Sequence, residues 1–161
     1  FNFCDNDINA VAQNVYDTMA PAVKSKGLSF ELQLEENLPK VKFDADKIVQ
    51  VMTNMINNSM KFTETGRIIL TTCRKDNVIQ VSVSDTGCGI KKENLPRVFQ
   101  EFEQIEMDGD KKTGGTGLGL AICKEIIKQH RCKICVESGY PKGTTFYFGL
   151  PIVERRSKRR Y

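Results

Sequence analysis

Residues 78–90 read VIQVSVSDTGCGI, and the pattern of this stretch decides the fold. Ile79, Val81 and Val83 share one parity, which predicts a strand with one buried face. Asp85 ends the run with the same parity, so period-2 geometry aims its carboxylate at the interior. A buried carboxylate needs a partner. Gly87 and Gly89 follow at once and let the backbone pass close to something. A capping aspartate at a tight turn is the plain alternative.

Working outward, residues 67–74 read as the preceding strand, joined to 78–85 by the turn Lys75-Asp76-Asn77. Before that strand, residues 46–61 carry Ile48, Val51, Met52, Met55, Ile56 and Ser59 at helical spacing. Further back, Leu28, Phe30, Leu32 and Leu34 alternate as a half-buried strand. Ile8, Val11, Ala12, Val15, Met19 and Val23 form another helical stripe, with Asp7 as N-cap, Gly27 as stop and Pro21 expected to kink or divide it. Downstream, a short helix is predicted over 92–98 and a longer one from Leu118 to about His130. Strands over 133–138 and 144–151 flank the turn Gly139–Gly143. Residues 103–113 are charged and poor in apolar side chains, which predicts a mobile loop. Helices grouped against a mixed, mostly antiparallel sheet give an α+β fold, a two-layer α/β sandwich.

Charge and composition narrow the function. The tail 154–161 holds five basic side chains against one acidic, while the other 153 residues carry 19 of each sign. The body therefore has no nucleic-acid or membrane footprint, and the tail reads as a solvated linker. No apolar run approaches the roughly 18–20 residues of a membrane span, and the start lacks a signal peptide. The abrupt start reads as a piece of a longer protein. The six cysteines read as reduced thiols of a cytosolic domain rather than a disulfide framework. Cys132 and Cys135 form a CxxC with no second ligand pair, which argues against zinc. His130, the one histidine, reads as a helix C-terminal cap.

Three elements carry chemistry. On the helix 46–61, Asn54, Asn58 and Lys61 fall within about 60° of one another. Two amides and an ammonium suit a metal-bound polyphosphate, since amide oxygens can ligate Mg²⁺. A solvated polar face is the alternative. At the end of 78–85, an adenine amino group is a fitting donor for Asp85, whereas guanine presents a carbonyl there. The third element, Gly114-Gly115-Thr116-Gly117-Leu118-Gly119-Leu120, leads into a helix and offers backbone N–H groups to an anion. It is neither a GxxxxGK[ST] loop nor a convincing dinucleotide fingerprint, because no strand leads into it.

In their order, NMINNSMKFT, DTGCGI, VFQEFEQ, KKTGGTGLGLAI and KGTTF resemble the N box, first glycine box, F box, second glycine box and closing motif of sensor histidine kinases. The resemblance covers residues 1–153, leaving 154–161 as a basic tail. It implies the Bergerat ATP-binding fold and a domain that takes ATP with Mg²⁺. It implies Asn58 as metal ligand, Lys61 at phosphate and Asp85 at the adenine amine. Gly87, Gly89, Ile90 and Phe102 would line the nucleotide. Gly115, Thr116, Gly117, Leu118, Gly119 and Leu120 would hold phosphates under a lid made of 103–113, and Thr144 or Thr145 would support adenine through water. Related ATPases carry a water-activating glutamate where this chain has Asn54, and an asparagine cannot be that base. The implied catalytic set is therefore Asn54, Asn58 and Lys61, acting on a histidine of a separate helical phosphoacceptor domain. Homodimerisation in the full-length kinase and a downstream response-regulator receiver follow from the resemblance, with no nucleic acid and no direct membrane contact. A degenerate nucleotide-binding module and a slow ATPase are the rival readings. Arg131-Cys132 replaces the family's usual glycine pair, which leaves that turn open.

Overall fold

The protein is described by a computed structural model covering residues 1–100 and 119–153. The elements are β1 (Cys4–Asn6), α1 (Ile8–Ser25), β2 (Ser29–Leu34), β3 (Val41–Phe43), α2 (Ala45–Phe62), β4 (Arg67–Lys75) and β5 (Val78–Asp85). A 3₁₀ helix (Lys92–Arg97), α3 (Gly119–Gln129), β6 (Ile134–Gly139) and β7 (Lys142–Pro151) follow. The main sheet has the order β2-β4-β5-β7-β6. Its β2–β4 pair is parallel and the other three pairs are antiparallel.

Alternation along the central strands sorts the sheet into two faces. Ile68, Leu70, Ile79, Val81, Val83, Phe146, Phe148 and Leu150 are buried and join one core with the inward stripes of the three helices. Burying that one face is what the helix layer achieves, and apolar burial is the main drive for it. The opposite face carries small polar side chains such as Thr71, Ser84 and Thr145, all half-buried.

Local signals explain most element ends. Asp7 caps α1 by accepting from the N–H groups of Asn9 and Ala10. Asp44 caps α2 by accepting from Lys47 N at 3.1 Å. The α1 helix runs unbroken through Pro21. Pro21 sits on the exposed side, while Met19 and Val23 on either side are buried, so packing outweighs the lost backbone bond. The small β1–β3 sheet has no counterpart in the sequence reading. Three residues are too short for periodicity to register, although Val41 and Phe43 do alternate with Lys42.

The turn after α3 takes the form that a glycine would favour. Arg131 has φ 57, in the left-handed region. Its N–H bonds Lys128 O at 2.9 Å, and Cys132 N bonds Ile127 O at 3.0 Å. These are the two bonds of a Schellman ending, with arginine at the left-handed position. His130 just before it is 8% exposed, and its ring ties two helices together. Nε2 accepts from Asp44 N at 3.1 Å and Nδ1 lies 2.8 Å from Ile126 O. It thus caps a helix-end carbonyl, as expected, and also fixes the start of α2. Arg131→Gly should relieve the left-handed cost and stabilise the domain by about 0.5–1 kcal/mol, read from the urea midpoint at unchanged slope. A lower midpoint would show that the arginine side chain contributes more than its backbone costs.

Candidate functional site

The site forms where the C-terminal turns of α2 meet the end of β5. Asp85 is paired across the sheet with Ile68 on β4 and Thr144 on β7, and its side chain lies on the helix-covered face. It is 8% exposed, and its Oδ1 accepts from Gly87 N at 2.9 Å. Burial pushes its carboxyl above the ordinary value of 3.8. The Gly87 N–H, the Ser59 hydroxyl, the Thr144 N–H and the Thr63 hydroxyl pull it back only in part. The carboxylate is thus held in a dry place, where the donors around it offset its burial only in part.

Helix α2 supplies the facing wall. Asn54 is half-buried, and its Nδ2 donates to Gly119 O at 3.4 Å, which links α2 to the first residues described of α3. Asn58 is half-buried one turn later, and Lys61 is exposed on the last turn. Three polar atoms here are buried without a hydrogen-bond partner: Asn58 Nδ2, Ser59 Oγ and Thr63 Oγ1. Ser59 and Thr63 stand near enough to Asp85 to favour its charge, yet neither completes a bond of ordinary geometry. Orphaned groups of this kind cost free energy unless something polar reaches them. Their gathering beside a buried carboxylate fits a polar ligand entering between α2 and the sheet.

The loop after β5 is clamped from two sides. A Cβ on Gly87 would collide with the carbonyl of Phe62 and stand 2.8 Å from Thr63 Oγ1. The absence of a side chain at Gly87 therefore serves the approach to α2, where Cys88 N bonds Phe62 O at 3.3 Å. On the other side, Gly143 N bonds Gly87 O at 2.8 Å, and Ile90 N bonds Ser138 Oγ at 2.6 Å. Gly89 takes φ 77 against Tyr140, and Ile90 is 2% exposed. A cavity of about 390 Å³ opens at this end of the sheet, lined by Asp85, Ser138, Gly143 and Thr144 among others.

The structure brings Asp85, Gly87, Gly89, Ile90 and Thr144 together at the end of β5 and sets Asn54 beside Gly119, while Asn58 and Lys61 stand on the last turns of α2 and Leu120 packs against the core. Thr145 lies on the opposite sheet face, bonded to Ser84 at 2.8 Å, so of the two threonines Thr144 is the one beside Asp85. Phe102, Gly115, Thr116, Gly117, Leu118 and the predicted lid 103–113 lie outside the described residues, as does the tail. Sequence reasoning passed over Thr63 and Ser138 and took Ser59 as part of the apolar stripe. A serine and a threonine one helical turn apart on a buried face were the available signal. Among the described residues, no group of three His, Cys, Asp or Glu side chains is placed to hold a metal, and no helix is long and apolar enough to cross a membrane.

Comparison with known proteins places this geometry in context. The family model for histidine kinase-, DNA gyrase B-, and HSP90-like ATPases matches residues 43–154. Hybrid signal transduction histidine kinase L of Dictyostelium discoideum is 40% identical over 147 residues, which cover 87% of this chain and 9% of that protein. Full-length ShkA, solved in complex with AMPPNP, superposes with a TM-score of 0.84 at 28% identity over 95% of this chain and 32% of its own. Histidine kinase ThkA, solved in complex with the response regulator TrrA, gives a TM-score of 0.77 at 26% identity over 95% of this chain and 43% of its own. The chain therefore spans a minor part of each of these proteins.

Asp85 predicts a measurable pH signature. Its folded pKa is raised, so the folded state holds the proton more tightly than the unfolded chain. That contribution is complete below pH 3.8 and is lost as pH rises through the folded pKa. Asp85→Asn removes the loss, so at neutral pH the nucleotide-free variant should be more stable than the wild type, with the gap closing toward acid. Urea unfolding across pH 3–8 reads this, and a destabilised variant at neutral pH would contradict the burial argument.

Proposed function

The chain belongs to the family of histidine kinase-, DNA gyrase B- and HSP90-like ATPases, as a catalytic ATP-binding domain of the sensor histidine kinase kind, and from that premise we propose that it delivers the γ-phosphate of Mg²⁺-ATP to a histidine on a separate helical domain. The single observation that carries this reading is the buried Asp85 with the unpartnered Ser59 and Thr63 hydroxyls beside it. Asp85 accepts from the adenine amine, with Thr144 beside it. Gly87, Gly89, Ile90 and Phe102 line the nucleotide, and 115–120 hold its phosphates. Lys61 reaches toward phosphate from the rim. Asn58 ligates Mg²⁺ through its amide oxygen, while its half-buried, unpartnered nitrogen is left to donate to a phosphate oxygen. Bound magnesium would offset charge on the phosphates.

Asn54 favours transfer over hydrolysis. It has no basic atom to activate water, and its amide is engaged with Gly119. Phosphoryl transfer depends mainly on positioning and charge stabilisation, so an incoming imidazole can serve as nucleophile. His130 is unsuited to that task. It is buried, and both ring nitrogens are engaged. The acceptor accordingly lies on a helical phosphoacceptor domain of the same protein, working as a homodimer in two-component signalling. The complex of the relative ThkA with its response regulator supports a receiver domain as the next partner. A cytoplasmic setting without nucleic acid or direct membrane contact completes the reading.

Two experiments test it. With γ-labelled ATP, the chain alone should bind nucleotide and stay unlabelled, and adding the cognate histidine hairpin should give acid-labile label on that hairpin only. Asn58→Ala should abolish most of this transfer while metal-free ADP binding suffers less. Asp85→Asn should weaken ATP by about 1.5–3 kcal/mol, the worth of a hydrogen bond to a charged group, as read by calorimetry. Equal affinity of the wild type for ATP and GTP, or normal transfer by Asn58→Ala, would overturn these assignments.

A further inference from the structure

A second cavity, of about 630 Å³, opens between the 3₁₀ helix and the β6–β7 turn. Among the described residues, neither Asp85 nor any part of α2 lines it. It is larger than the cavity of about 390 Å³ beside Asp85, and of a size that ligand pockets commonly have. Buried Ile90 and half-buried Leu95 supply an apolar part of its lining. Tyr140, 40% exposed, supplies an aromatic ring, and the Lys91 ammonium lies 5.3 Å from the centre of that ring. Lys92 and Glu93, both exposed, add charge at the rim. The two walls are fastened to each other. Ser138 Oγ accepts from Ile90 N at 2.6 Å and donates to Gly143 O at 2.9 Å. A Cβ on Gly89 would stand 3.0 Å from Tyr140 Cα, so the loop and the turn are already in close contact. Walls held in this way have little freedom left to lose when a ligand enters.

We propose that this cavity is a second ligand site, for a small aromatic acid that carries one negative charge. The rings of such a ligand lie against Tyr140, Ile90 and Leu95 and leave water there. Its acid group meets the ammonium groups of Lys91 and Lys92. Two lysines against one glutamate give the lining one net positive charge. A monoanion balances that charge, whereas a polyphosphate brings more than the lining can offset. An uncharged aromatic gains the apolar contacts and leaves both lysines unanswered. Lys91, Lys92 and Tyr140 have no role in the function proposed above, and the site does not depend on that reading.

Fluorescence titration of the full chain with 8-anilinonaphthalene-1-sulfonate, an aromatic monoanion, tests this. A single dye should bind per chain, equally well with and without saturating ADP. N-phenyl-1-naphthylamine has the same rings without the sulfonate and should bind about fivefold more weakly, the worth of an exposed charge contact. Tyr140→Ala should weaken the sulfonate dye about tenfold, the worth of an aromatic contact. Lys92→Glu turns the net charge of the lining negative and should weaken the dye at least as much as removing the sulfonate does. ADP affinity should stay the same in both variants. Lys92 is exposed, so Lys92→Glu still reads the site if Tyr140→Ala does not fold. Displacement of the dye by ADP would assign it to the nucleotide site and overturn the proposal. Equal binding of the two dyes, or unchanged binding in Lys92→Glu, would show adhesion to apolar surface alone and overturn it as well.

Discussion

A carboxylate shut away from water at the end of a central strand is the constraint to which the rest of this structure answers. Among the described residues no lysine or arginine pairs with Asp85; it accepts from the Gly87 N–H, with the Ser59 and Thr63 hydroxyls close by. The arrangement costs stability when nothing is bound, as buried charge without a counter-charge does. It becomes favourable only with a ligand that brings donors. The close approach of the loop to α2, made possible at Gly87, seals this pocket, and the hydrogen bonds from Gly143 and Ile90 hold the loop against the sheet. Stability is given up locally so that binding can recover it, which is a common trade at functional sites.

Much of this was legible in the sequence because the relevant patterns are long and regular. The parity of Ile79, Val81 and Val83 located Asp85, and the stripe from Ile48 to Ser59 located the helix that faces it. What escaped was decided by tertiary partners. The β1–β3 pairing depends on residues 35 or more apart and is too short to show a period. Pro21 reads as a breaker until the burial of Met19 and Val23 is known. Arg131 stands where the resemblance expects a glycine, but arginine itself has no preference for the left-handed φ it takes, so the turn stayed open. Ser138 looks like an ordinary strand serine until its three partners, from two other segments, are in place.

The two ends of α3 are held differently. At its start, the Asn54 amide donates to Gly119 O at 3.4 Å. At its finish, the Schellman turn, the His130 bridge to Asp44 and the packing of Ile126 and Ile127 act together. Between them Cys123 is buried against Val51, its thiol pushed up to about 12 by burial and so kept inert.

The finish of α3 contains the one imidazole of the chain, set between the first turn of α2 and the last of α3 and edged by the rings of Phe1 and Phe3. In a proton NMR spectrum its two carbon-bound ring protons give resonances with no other histidine of this chain to overlap them. The neighbouring aromatic faces displace those resonances by ring currents, which fall off steeply with distance. The domain thus carries an internal gauge of helix docking that needs no label and no added dye, readable in whatever longer protein keeps this histidine solitary.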